Sequence, residues 1–399
     1  MKKIFIPLLL LIATITGLYF FHPQTPKSDK PIVTPVSFND LPNWGGKSFK
    51  QSFQVFRNSC AVFIKQDPNK SLDTEIINLS VKDMLPACKK ALSQKKITSK
   101  QAANFFKTWF QPIEVKQPDN SPTGLFTGYY APLLSGSLKK TDKYTVPIYT
   151  LPKSLIRLDL SKFDANLDKK TLVGRIQNNE FLPYHDREAI NKGALKHVPV
   201  LVWVENRVDR LFLEIQGSGI IQFDNGKRMY VGYAGQNGQP YTALAGVLIR
   251  EGVMTKDNAS MQAIRRYFEE HPENIDGYLN QNQSFVFFKD LKQKAALGAQ
   301  GIALTAGYSL AVDRRYVPMG LPVWLSTSYP DNVNDHHQPF HRLMIAQDTG
   351  GAIKGPIRGD VYWGAGEKAT YTAGHMKNPG RWWLLIPKQR WSEQPKPSH

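Results

Sequence analysis

Downstream of Gly124 the apolar residues of this chain come in short runs closed off by Gly, Pro, Asn, Asp or Ser, and this pattern restricts the fold more than any other feature. The runs cover residues 125–130, 198–204, 211–215, 285–288, 322–325, 343–346, 361–363 and 382–386. Rich in Val, Ile, Phe, Tyr and Trp, they suit strands and are too short for free-standing helices. Residues 205–210 are a polar break between the second and third runs. Two stretches, 243–251 and 261–270, carry helical periodicity, with Thr242 and Ser260 as expected caps. No internal repeat is present. The expected class is mainly β with attached helices, most economically barrels or sandwiches.

Upstream the periodicity is helical. Phe53, Val55, Phe56, Cys60, Val62 and Phe63 recur at spacings of three and four. Thr98 and Gln101 make a capping box for a helix through Ala102, Phe105, Phe106 and Trp109, which Pro112 ends. Residues 52–110 therefore form a scaffold. Residues 22–46, rich in Pro, Lys, Ser and Thr, read as a linker. Residues 1–21 hold Lys2 and Lys3 ahead of an apolar run from Ile4 to Phe21. As a helix that run spans roughly 27 Å, close to a bilayer core of about 30 Å. It is expected to be an uncleaved membrane anchor in preference to a cleaved signal, since no small-x-small site follows it. The lysines stay cytoplasmic, so the remainder faces the periplasm or exterior.

The net charge is +18, which favours a polyanionic partner. Because the charge is spread along the chain and no zinc-finger or RNP motif occurs, nucleic acid is not expected. Cys60 and Cys88 are either bridged, as an exported chain allows, or two buried thiols.

Four clusters could carry chemistry. The first is Asp348-Thr349-Gly350-Gly351 through Lys354, followed by Gly359-Asp360-Val361-Tyr362. It lacks the Walker order, so it is no phosphate loop. Locally it also reads as a plain hairpin, with Asp348 capping a turn and Asp360 pairing with Arg358 or Lys354. The second is Asp313 between an apolar pair and two arginines, equally a strand-end aspartate bonded to backbone N–H groups. The third is Thr127-Gly128-Tyr129-Tyr130, aromatic rings beside a glycine that suit either sugar stacking or core packing. The fourth is Gln216-Gly217-Ser218 with Tyr233 and the polar turn after it. His336 and His337 lie in an Asp-containing loop, but neither a metal nor another cofactor is expected.

In this order the stretches FTGYYAP, LEIQGSG, VGYAGQNG, SLAVDRR, AQDTGGAIKG and GDVYWGAG resemble the membrane-bound lytic murein transglycosylase A family, across roughly residues 50–387. The last part resembles the three-aspartate domain, whose aspartates are then Asp313, Asp348 and Asp360. The resemblance implies a double-psi β-barrel domain from residues 47–130 and 284–390. A second β-domain, 131–283, would be inserted between its halves, with a substrate cleft between the two. It implies Asp360 as sole catalytic acid/base, with Asp348 and Asp313 supporting it. The binding candidates are Thr127, Gly128, Tyr129, Tyr130, Gln216, Gly217, Ser218, Tyr233 and Lys354. The implied partners are peptidoglycan glycan strands, the membrane through the N-terminal segment, and wall-remodelling proteins. The anchoring cysteine common in that family is missing from this chain. The rival activities are a two-carboxylate glycoside hydrolase of the wall and a non-catalytic wall-binding protein.

Overall fold

The computed structural model describes residues 30–45, 49–94, 96–167, 170–256, 258–292, 295–331 and 337–388. The N-terminal apolar run, residues 22–29 and 46 of the expected linker, and His336 lie outside them, whereas Ile32–Pro35 within that linker is a strand paired antiparallel with residues 113–116. Among the described residues no helix is long and apolar enough to cross a membrane.

The chain begins with β1 (Ile32–Pro35), α1 (Phe49–Phe63), α2 (Val81–Ser93), α3 (Ser99–Trp109), β2 (Phe110–Lys116) and β3 (Gly124–Ala131). It continues through β4 (Leu133–Ser137), β5 (Val146–Tyr149), β6 (Ile156–Asp159), β7 (Thr171–Gln177), β8 (Glu180–Pro183) and β9 (Val200–Val204). Then come α4 (Arg207–Gln216), β10 (Ser218–Phe223), β11 (Arg228–Gln236), α5 (Leu244–Arg250), α6 (Met261–Glu270) and β12 (Val286–Asp290). It ends with β13 (Ser309–Val312), β14 (Pro322–Pro330), β15 (His337–Asp348), β16 (Arg358–Ala365), α7 (Glu367–His375) and β17 (Lys377–Pro387).

Three sheets result. The largest runs β1-β2-β17-β14-β15-β13-β16-β3, and β3 also pairs with β17. That last pairing closes β3, β17, β14, β15, β13 and β16 into a ring, which removes the exposed edges an open sheet would leave. Alternate residues Phe126, Leu310, Val312 and Val361 are buried in the core of this ring. The second sheet is β12-β11-β10-β4-β9-β5 and the third is β6-β7-β8. Everything between β3 and β13 is thus an insertion into the ring. The chain rejoins the ring at Ser309 and not near residue 284, because β12 pairs antiparallel with β11. A strand-like run announces pairing but does not name the partner sheet.

The helical scaffold forms as its periodicity requires. The buried face of α1 carries Phe49, Phe53, Phe56, Cys60 and Phe63. Thr98 accepts from the Gln101 N–H, and the Gln101 side chain accepts from the Thr98 N–H. Phe53, Phe56, Phe105, Phe106 and Phe110 pack edge-on or tilted. Each such ring contributes about 1.5–3 kcal/mol on burial. Cys60 and Cys88 are bridged, with Cα atoms 4.9 Å apart, and so fasten α1 to α2.

Two local expectations fail. Residues 211–215 are helical, inside α4. Asn206 caps that helix by accepting from the Asp209 N–H, and Gly217 ends it at φ 72°. Val208, Leu211 and Phe212 make its buried stripe, so a continuous apolar run concealed an amphipathic helix. Thr242 does not cap α5: its N–H donates to Asn282 Oδ1, and Ala243 occupies the cap position without a side-chain bond. Ser260 does cap α6, accepting from the Ala263 N–H.

The inserted sheets are organised around buried charge. Glu214 of α4 takes Arg187 Nη1 at 3.2 Å and Nη2 at 2.6 Å, while Arg187 Nε donates to Asn282 O. Arg210 lies 3.4 Å from the same carboxylate and donates to Asn191 Oδ1. The Phe285 ring faces both guanidinium groups. Two buried cations thus depend on one buried anion. Glu214→Gln is expected to cost about 3–5 kcal/mol, as breaking a buried pair does. Denaturant unfolding checks this, and a loss below about 1 kcal/mol would refute the dependence.

Candidate active site

Strand pairing brings residues distant in sequence onto one row. On β13, Ala311 is paired with Asp348 of β15 on one side and Asp360 of β16 on the other. Asp360 is paired in turn with Thr127 of β3. Directly paired residues share a face, so both carboxylates and the Thr127 hydroxyl project from the outside of the ring. Their Cα atoms are two strand spacings apart, roughly 10 Å. Between them stands only a methyl group. Two residues along the strands, Tyr129 and Tyr362 share this face, with ring centroids 5.2 Å apart. Ile220 and Tyr230 of the inserted sheet pack near these rings, which places the row where the ring meets the insertion.

The three aspartates have different surroundings. Asp360 is partly exposed and accepts from Thr127 Oγ1 at 2.7 Å. Arg358 is not spent on it: Nη2 donates to Thr127 Oγ1 at 2.9 Å and Nη1 to Gly359 O at 2.6 Å. Burial therefore dominates and pushes the Asp360 carboxyl up to about 6, against the pull of Thr127 and Arg358 and with a further push from the Asp348 charge. Asp348 is held by three donors: Tyr129 Oη at 2.8 Å and the N–H groups of Ala299 and Thr349, each at 2.9 Å. Burial still moves it upward. Asp313 lies beyond the row, at the end of β13. Burial pushes it up too, but Arg315 at 2.6 Å and the Gly355 and Arg315 N–H groups win, and it sits below the ordinary carboxylate range. It ties down the loop between β15 and β16, whose other end is fixed by Thr349 Oγ1 donating to Val312 O. That loop is not a hairpin, because β13 lies between β15 and β16.

The binding candidates divide. Thr127 and Tyr129 join the aspartate row. Gly128 and Tyr130 point to the other face. A Cβ on Gly128 would lie 2.7 Å from Trp363, and Tyr130 is 1 % exposed against Ala369 and Ala373. Strand alternation excludes both side chains from the row. Gln216 Oε1 accepts from the Tyr130 N–H at 3.0 Å, fastening the end of α4 to the ring. Gly217 is the left-handed residue that terminates α4. Ser218 is buried at the start of β10, Tyr233 is half exposed on β11, and Lys354 is exposed on the loop. His337 is bonded to Asn378. Sequence inspection missed Tyr362, which alternation from Asp360 would have found, and the Ala299 N–H, for which no signal exists.

This geometry fixes opposite responses in the Asp360 carboxyl. Arg358→Gln removes a nearby cation, so the Asp360 carboxyl should rise. Asp348→Asn removes an anion, so it should fall. Taken one at a time, the alkaline limb of the pH–activity profile should move up for the first and down for the second. Equal, unshifted limbs in both variants would show that neither group acts on Asp360.

Residues 125–289 match the model of the MltA specific insert domain, and residues 308–386 that of the 3D domain. The membrane-bound lytic murein transglycosylase A of Escherichia coli K12 is 33% identical over 275 residues, 68% of each chain. The membrane-bound lytic murein transglycosylase of Agrobacterium tumefaciens superposes with a TM-score of 0.79 at 29% identity, over 90% of this chain and 99% of that one. MltA from Neisseria gonorrhoeae gives 0.75 at 33% identity, over 90% and 93%. E. coli MltA with bound chitohexaose gives 0.65 at 26% identity, over 90% and 96%.

Proposed function

This chain belongs to the membrane-bound lytic murein transglycosylase A family, and from that premise we propose that it cleaves peptidoglycan glycan strands without water, through Asp360 alone. The bond is the β-1,4 link from N-acetylmuramic acid to N-acetylglucosamine. One observation carries the assignment. Of the three aspartates, Asp360 alone combines a partly exposed carboxyl, a single hydroxyl donor and a position pushed up to about 6. Asp348 is pinned by three donors and Asp313 is ion-paired.

The steps use that one group. Protonated Asp360 gives its proton to the glycosidic oxygen as the C1–O bond breaks. The carboxylate left behind takes the proton of the muramic C6 hydroxyl, whose oxygen bonds to C1. The products are a free 4-hydroxyl on N-acetylglucosamine and a 1,6-anhydromuramic end, and Asp360 is protonated again. With an ordinary carboxyl near 3.9 the acid form would be scarce at neutral pH, whereas near 6 it is about a tenth of the population. Burial supplies most of this shift, and Tyr129 and the backbone N–H groups keep Asp348 where its charge adds to it. The ring is read as the double-psi barrel and the inserted sheets as the second domain, with the glycan lying along the aspartate row between them. A chitohexaose-bound relative supports a sugar chain as ligand. An envelope location, outside the cytoplasm, follows from the substrate.

Asp360→Asn should fold normally and lose about 10²–10⁴ in rate, as removal of a positioned acid/base does. The product ends decide the chemistry: mass spectrometry of fragments from purified sacculi should show ends one water lighter than hydrolysis gives. Reducing ends throughout would identify a hydrolase, and absence of any release by the wild type a binding protein.

A further inference from the structure

A dense cluster of positive charge lies away from the aspartate row, on the hairpin made by α2 and α3. Residues 81–109 contain seven lysines against one acid, Asp83. That acid is already engaged: its carboxylate accepts from the Ser80 N–H and hydroxyl at the start of α2. Lys82, Lys89, Lys90, Lys96, Lys100 and Lys107 are all exposed. Among the described residues the lysines that pair with carboxylates are Lys116, Lys143, Lys192 and Lys292, none of them on this hairpin. The inner stripes of both helices are buried, and the Cys60–Cys88 bridge ties α2 to α1. Six uncompensated cations on one fastened element repel one another and call for an anionic partner.

Two observations identify that partner as a lipid surface. At the end of α3, half-buried Trp109 shares a notch of about 200 Å³ with Pro86, Ala87 and Pro387, and Asp83, Thr108 and Lys388 complete its lining. An acidic polymer offers such a face charge alone. The boundary between headgroups and acyl chains offers charge and an apolar phase together, and tryptophan and lysine suit it. The second observation is the path of the chain. Ten residues, 22–31, separate the expected anchor from β1 and span at most roughly 33–36 Å. β1 is paired with β2, which follows α3 without a break. The hairpin is thereby kept within reach of the bilayer that the anchor would enter. We propose that the α2–α3 hairpin docks on an anionic phospholipid surface, its lysines on the lipid phosphates and Trp109 at the edge of the acyl region. The scaffold helices lie against β2, β15 and β17, whereas the aspartate row continues over β13, β16 and β3, so docking leaves the row uncovered.

The test places a reporter on the hairpin of the full chain. Asn104, exposed on α3, is replaced by Asn104→Cys and labelled with nitrobenzoxadiazole, the native cysteines being bridged. The protein is reconstituted in phosphatidylcholine vesicles carrying spin-labelled lipid, with or without phosphatidylglycerol, and vesicle-bound protein is recovered by flotation. An anchor would hold it alike in both, so quenching of the reporter reads the hairpin alone. Quenching should be at least twofold stronger with phosphatidylglycerol, because each lysine near an anionic surface favours association about fivefold. It should fall to the phosphatidylcholine level in Lys89→Glu/Lys90→Glu/Lys107→Glu. With all lysines in place it should fall likewise in about 1 M salt, where the Debye length is about 3 Å. Equal quenching in the two lipids, or quenching untouched by charge reversal, by salt or by Trp109→Ala, overturns the proposal. So does polyglutamate that displaces the hairpin at equal anionic charge, since an acidic polymer is then the better partner. The lysine variant should release glycan fragments from sacculi in detergent at the wild-type rate. Because docking is read without turnover, its failure leaves the glycan chemistry untouched.

Discussion

The site depends on the desolvation of one carboxylate that no cation neutralises. Asp360 lies in a ladder row whose neighbour, Ala311, offers it only a methyl group. Arg358, two residues back on the same strand, is held on Thr127 and a backbone carbonyl. Had the guanidinium closed on Asp360, the carboxyl would have moved down, as Asp313 does beside Arg315. The same residue type is thus a fixed anion at one end of β13 and, beside its middle, the carboxyl that we propose as the proton shuttle. Position in the sheet, more than sequence context, makes the difference.

Rigidity around that row comes from layers on both sides. Behind β15, Ser309 Oγ and the α1 groups satisfy the fully buried Gln347. The segment before β13 is laid against β15: the Gln300 N–H donates to Gln347 O, and the Ala299 N–H to Asp348. In front, Gln216 joins the insertion to β3. The buried Arg187–Glu214–Arg210 group fixes α4, and hence the place of Gln216. A polar core of this kind stabilises little by itself, but its members hold one another to a single arrangement.

Some of this was legible in the sequence. The capping box at Thr98 and the Ser260 cap are local bonds, and local spacing reveals them. Most strand positions followed from run length and composition. The continuous apolar run of residues 211–215 conceals α4 in the sequence, although Asn206 and Gly217 mark its two ends. Gly128 and Tyr130 were grouped with Thr127 and Tyr129 although period-two alternation already separates them. The union of Asp348 and Asp360 could not be read from local pattern at all. It arises because β13 comes between β15 and β16, and nothing local to 348–360 records that insertion. Only the resemblance of the whole motif series pointed to it.

The central claim is that the Asp360 carboxyl takes up its proton near pH 6 in the folded protein. The direct measurement is a carbon-13 NMR titration of the aspartate carboxyls in the full chain, with Asp360→Asn as the assignment control. The account predicts one aspartate resonance with a midpoint close to 6 that vanishes in the variant. If every aspartate carboxyl instead titrates below about 4.5, or the resonance near 6 persists in Asp360→Asn, the account is contradicted.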